Sequence, residues 1–140
     1  MFDGGHRLSS ITVNWAAVGD GDLNVPPAEV IPQPDGTLLV RVTGAGSAAV
    51  LGAFDFATVY IVDPQVGAIP RGEAVFHFDH GDLYLTFAGT FDQNNNFTGT
   101  YRITGGTGAY QGVSGAGVNL GRISADLTFR VTFDGTLIYP

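Results

Sequence analysis

The stretch 101–117, YRITGGTGAYQGVSGAG, carries six glycines, yet it begins like a β-strand. Glycines at this density occur in phosphate-binding loops, in flexible linkers and in tight corners between strands. A P-loop requires a lysine, which the chain lacks, and a dinucleotide-binding loop requires a following helix, which the sequence does not predict. A linker is disfavoured because Tyr101, Ile103, Tyr110 and Val113 are interleaved with the glycines. The stretch therefore predicts a strand, a tight corner and a returning strand.

The glycines of this stretch are expected to shape both the corner and the strand that follows it. Gly105, Gly106 and Gly108 are predicted to supply backbone with positive φ, which β-branched residues rarely adopt. Gly112 and Gly115 are predicted to lie in the returning strand, where glycine permits coiling and the close approach of a neighbouring strand.

Apolar and polar residues alternate with period two along much of the chain, and no segment shows a helical pattern. The longest alternation, residues 123–133, predicts one strand, then a turn at Asp134 and Gly135 and a short last strand at 137–139. Further strands are predicted at 7–15, 37–43, 52–62, 74–79, 82–90 and 97–104, with hairpin turns at 79–82 and 92–96 and a long proline-rich loop at 16–36. About eight strands in a chain of this length predict one all-β domain, residues 1–140, folded as an eight-stranded antiparallel β-barrel.

The corner also resembles a known sequence pattern. Residues 104–108, TGGTG, are followed by Tyr110, Gly112 and Gly115, which resembles the corner motif of the allene oxide cyclase and dirigent superfamily. The resemblance covers about residues 40–120 and looks most like short bacterial members. It implies a calycin-type eight-stranded barrel with an apolar cavity, commonly a trimer in the plant families. It brings no reaction, because no motif on the early strands matches the catalytic residues of the plant cyclases.

Charge and cysteine content limit the partners that the chain is expected to have. The net charge is −7, so nucleic acid and anionic membranes are poor partners, and no apolar run predicts a membrane-spanning helix. The absence of cysteine excludes disulfides and thiolate metal sites. The first residues, MFDGG, lack the pattern of a signal peptide, which leaves two expectations: a cytoplasmic protein, or a secreted one whose signal has been removed.

The richest polar cluster is the segment 77–82, HFDHGD. A metal site is not expected there, because His80 falls at the turn and a third ligand is missing. His77, with Tyr84 across the hairpin, is the best acid or base candidate, although an ordinary cross-strand pair is the alternative. Glu29, one of two glutamates, is a third catalytic candidate if a barrel mouth surrounds it, and otherwise a solvated carboxylate.

The ligand-binding candidates are Trp15, Tyr60 and Tyr101, whose rings could line a cavity or pack a solid core, and Arg41, which could polarise a ligand. The leading hypothesis is a barrel that binds an apolar small molecule. The alternatives are a cofactor-free cyclase or isomerase for a flexible hydrophobic substrate (polyketide-, terpenoid- or lipid-like) and a structural or interaction domain of a secreted bacterial protein. No cofactor or metal is expected. A homo-oligomer, either a dimer or a trimer, is expected.

Overall fold

The strands form a continuous antiparallel sheet in a computed structural model that describes residues 10–140. Nine strands follow in chain order: β1 (Ile11–Asp22), β2 (Glu29–Pro32), β3 (Leu38–Ala48), β4 (Gly52–Asp63), β5 (Ala68–Phe78), β6 (Gly81–Phe91), β7 (Asn96–Gly106), β8 (Ser114–Ile123) and β9 (Thr128–Tyr139). A short 3-10 helix, Gly108–Tyr110, forms the corner between β7 and β8.

The sheet closes into a barrel because β1 pairs with two strands that are distant in the chain. One edge of β1 pairs with β9 along its whole length, from Ile11 opposite Tyr139 to Asp22 opposite Thr128. Its other edge pairs with β3 over four residues, from Ala17 opposite Ala48 to Asp20 opposite Ala45. Eight strands thus make a closed antiparallel barrel, and β2 is an added strand on the free part of the β3 edge. This confirms the predicted eight-stranded antiparallel barrel.

The predicted strand at 123–133 is wrong, because the chain reverses within it. Ile123 ends β8, residues 124–127 form a turn closed by the Ser124 amide donating to the Thr128 carbonyl at 2.8 Å, and β9 then begins. Leu127 has a φ of 68° in this turn. The predicted turn at Asp134 and Gly135 is also wrong, since both residues lie inside β9, and the predicted last strand at 137–139 is the end of β9.

The predicted loop at 16–36 is wrong over two parts of its length. Residues 16–22 continue β1, where they pair with β9 although they show no polar and apolar alternation. Residues 29–32 form β2, an edge strand whose position tolerates the proline at its end. Of the strand predicted at 7–15, residues 7–9 lie outside the described residues. The strand predicted at 74–79 begins six residues earlier, at Ala68.

The glycine corner has the predicted strand–corner–strand form, with two changes in the roles of its glycines. Gly105 and Gly108 have positive φ, of 155° and 58°, as predicted, whereas Gly106 does not. Gly106 is instead required by close packing, since a Cβ there would lie 2.7 Å from the Tyr110 carbonyl oxygen. Gly112 lies before β8 with a φ of 79°, not in the strand, and Gly115 lies in β8 as predicted.

Aromatic rings fill the half of the barrel that is next to this corner. Phe76 is fully buried at the centre, stacked on Phe54 with ring centroids 4.7 Å apart, and Phe133 meets its edge at 5.1 Å. Tyr110 of the 3-10 helix is buried against Phe78, with centroids 5.5 Å apart, and so covers this end of the barrel. We call this the corner end.

Candidate functional site

The opposite end of the barrel, here called the pocket end, is formed by loops 23–28, 64–67, 92–95 and 124–127. A pocket of about 100 Å³ extends inward from these loops toward the aromatic centre. Phe76 and Phe133 lie at its inner end, and Leu23, Phe91 and Ile123 lie near the loops. The walls between them are mainly aromatic and aliphatic: Val42, Phe56, Ile69, Phe87, Phe97, Phe129 and Val131. The interior of the barrel is therefore packed at one end and hollow at the other.

Three uncharged polar side chains interrupt the apolar lining, and they lie on opposite walls. Thr58 and Tyr60 are on β4, two residues apart, so both point inward. Asn119 is on β8, which lies four strands from β4 in either direction around the barrel. A molecule in this pocket would therefore have hydroxyl groups on one side and a carboxamide on the other.

Tyr60 is held in its neutral form by its surroundings. Its ring meets the edge of Phe87 with centroids 6.2 Å apart, and burial raises the pKa of its phenol above the usual value. The apolar environment disfavours the phenolate, so the hydroxyl keeps its proton at neutral pH and remains a hydrogen-bond donor.

Charged residues stand at the rim of the pocket. The Arg130 guanidinium donates to the Asp20 carboxylate at 2.7 Å, and this contact raises the pKa of Arg130. The Arg130 side chain is 70% exposed and the Asp20 side chain is 50% exposed. Because water surrounds both charges, the pair contributes little stability. Arg122, on the exposed side of β8, also borders the pocket. The rim is polar while the interior is apolar.

Two of the predicted ligand-binding residues are core residues. Trp15 and Tyr101 are both buried, and the indole Nε1 donates to the Tyr101 hydroxyl at 2.8 Å. Gly117 and Gly135 face each other beside this hydroxyl, and a Cβ on either would come within 2.6 Å of it. Trp15 and Tyr101 lie outside the lining of the pocket, whereas the third predicted aromatic residue, Tyr60, lines it.

Burial raises the pKa of Tyr101 to about 12; the hydrogen bond from Trp15 opposes this rise, and nearby Asp134 adds to it. Because the unfolded tyrosine titrates at a lower pH, about 10, the folded state holds the proton more tightly. The stability that this contributes is complete below about pH 10 and is lost as the pH rises through about 12. Replacement of Tyr101 by phenylalanine is therefore expected to flatten the fall in unfolding free energy between these pH values.

Urea denaturation at a series of pH values measures this slope. Burial shifts the pKa values of Tyr60, Tyr110 and Tyr139 in the same direction, so part of the slope remains in the variant. Tyr84→Phe removes a hydroxyl from an exposed ring and is the control. A slope that Tyr101→Phe leaves unchanged would contradict the assignment.

The three predicted catalytic residues lie on the outer surface of the barrel. His77 and Tyr84 are exposed on neighbouring strands, but they are not directly opposite each other: His77 pairs with Asp82, and Tyr84 pairs with Val75. The His77 Nδ1 atom and the Asp82 carboxylate are 2.9 Å apart. The structure therefore gives His77 a different neighbour from the one predicted.

Glu29 and Arg41 lie together, also outside the barrel. They are directly opposite on β2 and β3, with 3.6 Å between the Arg41 Nε and a Glu29 carboxylate oxygen, and both side chains are well exposed. Of the predicted catalytic and ligand-binding residues, only Tyr60 borders the interior pocket. Asn119, Thr58 and the phenylalanines of the pocket walls were not predicted as site residues.

Within residues 10–140, no three histidine, aspartate or glutamate side chains are grouped so that they could hold a metal ion. No helix in the same range has the length and apolarity needed to cross a membrane.

Together the fold and the pocket define a class: a small closed antiparallel barrel with an apolar recess at one end. No family model and no curated protein matches the chain. Among solved structures, it is similar to the pterocarpan synthase dirigent protein GePTS1, with a TM-score of 0.61 and 11% sequence identity. The match covers 96% of this chain and 88% of that one. The chain therefore has a dirigent-like barrel fold, and at this identity the likeness shows the fold alone.

Proposed function

We propose that this protein binds a small apolar molecule, without a cofactor, in the pocket at the pocket end of the barrel. The observation that carries the proposal is the uneven interior, which is closely packed around Phe76 but hollow between Phe87, Phe97 and Phe129. Removing apolar surface from water contributes about 25 cal/mol per Å², so an apolar recess of this kind favours an apolar occupant. The TGGTG corner also supports a relation to short bacterial members of the superfamily.

The size of the pocket limits the ligand. An engineered apolar cavity of about 150 Å³ takes up benzene, whereas drug-sized ligands occupy roughly 300–1,000 Å³. A pocket of about 100 Å³ fits a single ring or a short branched chain. A longer molecule would insert one apolar end and leave the remainder among the loops, beside Arg122 and Arg130.

Replacement of Gly121 by valine is expected to abolish most of the binding without loss of stability. Gly121 lines the pocket, and a Cβ there would meet its nearest neighbour, the Arg130 carbonyl oxygen, at 3.4 Å, which is ordinary contact. The valine side chain would fill part of the recess, so the dissociation constant for toluene, measured by NMR titration, should rise at least tenfold. The melting temperature should stay the same or rise.

Leu120→Val is the matched control, since Leu120 is adjacent on β8 but half exposed on the outer face. Its affinity for toluene should equal that of the unchanged protein. Equal affinity in the Gly121 variant would place the binding elsewhere, and no uptake of toluene by the unchanged protein would overturn the proposal.

A second candidate function is a cofactor-free cyclase or isomerase for a polyketide-, terpenoid- or lipid-like substrate. Two observations favour it: the structurally similar GePTS1 is a pterocarpan synthase, and Tyr60 presents a protonated hydroxyl to the pocket. The protein would hold the substrate in a reactive shape while this hydroxyl polarises it. A compound retained on purification from the native host, identified by mass spectrometry, should be converted on incubation if this is right. Tyr60→Phe should then slow conversion more than it weakens binding.

We also propose that the barrel forms a homo-oligomer, either a dimer or a trimer. Val18 and Leu120 flank Thr132 on the outer face of neighbouring strands, and both apolar side chains are exposed. Exposed apolar side chains that lie close together on one face are a feature of contact surfaces. Analytical ultracentrifugation measures the assembly directly, and a monomer at all concentrations would contradict it.

A further inference from the structure

Asn119 is an unusual residue for its position on the inner wall of the barrel. Among residues 10–140 it is the one buried residue with a polar, non-aromatic side chain, and it is 3% exposed. Its Oδ1 atom is fully buried and receives no hydrogen bond from the described residues. Buried polar groups in proteins are almost always paired, so an unpaired carboxamide needs a physical reason.

No side chain of the described residues donates a hydrogen bond to the Asn119 Oδ1 atom. Gly117 and Gly121 lie two residues away on the same face of β8, and Gly99 and Phe133 are its partners on the adjacent strands. These neighbours are glycines and an aromatic ring, whose backbone groups belong to the sheet. The carboxamide nevertheless borders the pocket. A molecule in the pocket that carries a donor would supply the missing partner.

A leucine has the same branched arrangement of heavy atoms as asparagine and would leave no acceptor unpaired at this position. Replacement of an unpaired polar group by an apolar group of the same shape is neutral or stabilising. The asparagine is thus poorly suited to packing the empty barrel, and it becomes favourable once a bound molecule supplies a donor. Charge on that molecule is disfavoured, because the surrounding wall could not solvate it.

On these grounds, and resting on the proposed function, we infer that Asn119 is the specificity-determining residue of the pocket. It selects uncharged, ring-sized apolar molecules that carry one N–H or O–H donor, which the carboxamide oxygen accepts. The donor points to the β8 wall, and the apolar body lies against Phe87, Phe97 and Phe129.

Three probes with a single five-membered ring and nearly equal shape test this inference on the full chain. Pyrrole carries an N–H donor, furan carries an acceptor in its place, and cyclopentene carries neither. The expected result, from NMR titration, is that pyrrole binds at least tenfold more tightly than cyclopentene and furan. In Asn119→Leu the affinity for pyrrole should fall to that for cyclopentene, the affinity for cyclopentene should be kept, and the melting temperature should not fall.

The other possible results of the titrations would contradict either the inference about Asn119 or the proposed function. Equal binding of pyrrole and cyclopentene by the unchanged protein would show that Asn119 selects no donor, and this would overturn the inference while the proposed function stands. Tighter binding of furan would show that the carboxamide presents its donor, which also overturns it. If none of the three binds, the proposed function fails as well. Should the leucine variant not fold, Asn119→Val provides the same comparison, and the selectivity of the unchanged protein is already decisive.

Discussion

Valine in place of Gly108 is expected to destabilise the barrel by about 3 kcal/mol or more, from two separate costs. The backbone at Gly108 has a φ of 58°, where a β-branched residue is a rare outlier. A Cβ there would also collide with the His80 carbonyl oxygen and lie 3.2 Å from the Gly81 Cα. Since both contacts are with backbone atoms, in the β5–β6 turn and at the first residue of β6, the corner cannot relieve them by rotating a side chain. Urea denaturation measures the loss.

Gly36 provides the matched control for this prediction. It also has positive φ, of 89°, but a Cβ there would meet nothing within 4 Å. Gly36→Val therefore pays only the backbone cost, about 1–2 kcal/mol, and the difference between the two variants measures the collision. Gly106→Val tests the collision alone, because Gly106 has no positive φ. Normal stability of both the Gly106 and Gly108 variants would contradict this account of the corner.

Phe76→Ala is expected to lower the free energy of unfolding by about 3–5 kcal/mol, the range for a buried phenylalanine. Phe76 is completely buried and contacts the rings of Phe54, Phe133 and Trp15 from three other strands. Its removal leaves a cavity in the middle of the barrel that the neighbouring strands cannot close without breaking their pairing. The stability is measured by urea or thermal denaturation.

The contrasting variant is Val118→Ala, whose side chain is 48% exposed on the outer face of β8. It should cost less than about 1 kcal/mol in a monomer, since exposed substitutions have small effects. A loss at Phe76 as small as that at Val118 would show that the centre of the barrel is not packed as described.

The strands that the sequence predicted best are those with one apolar face and one polar face. The prediction at 52–62 matches β4 because Phe54, Phe56 and Tyr60 share the inner face. The prediction at 123–133 failed for a physical reason. The turn between β8 and β9 has four residues, an even number, so apolar and polar residues keep alternating with period two across it. Ile123 and Phe129 both border the pocket on either side of the turn, so the period continues through a reversal of the chain.

The pocket could be predicted only in part. The predicted site residues were chosen for their chemical type, whereas the alternation along each strand decides which residues face the interior. His77 alternates with Phe76 and Phe78, which already places it on the face opposite to the core, and the structure shows it exposed. Asn119 shares the inner face of β8 with Gly117 and Gly121 and alternates with the exposed Val118 and Leu120, which was the available signal for a polar group inside the barrel. The position of the hollow half could not be read from the sequence, because it depends on how rings from six strands share the interior.

A crystal of the protein pressurised with xenon tests the central claim most directly, because xenon occupies apolar cavities without requiring any hydrogen bond. The account predicts xenon density at the pocket end, between Phe87, Phe97 and Phe129, and none in a crystal of Gly121→Val. Xenon at the corner end, or none inside the barrel, would contradict a hollow half that accepts a small apolar molecule.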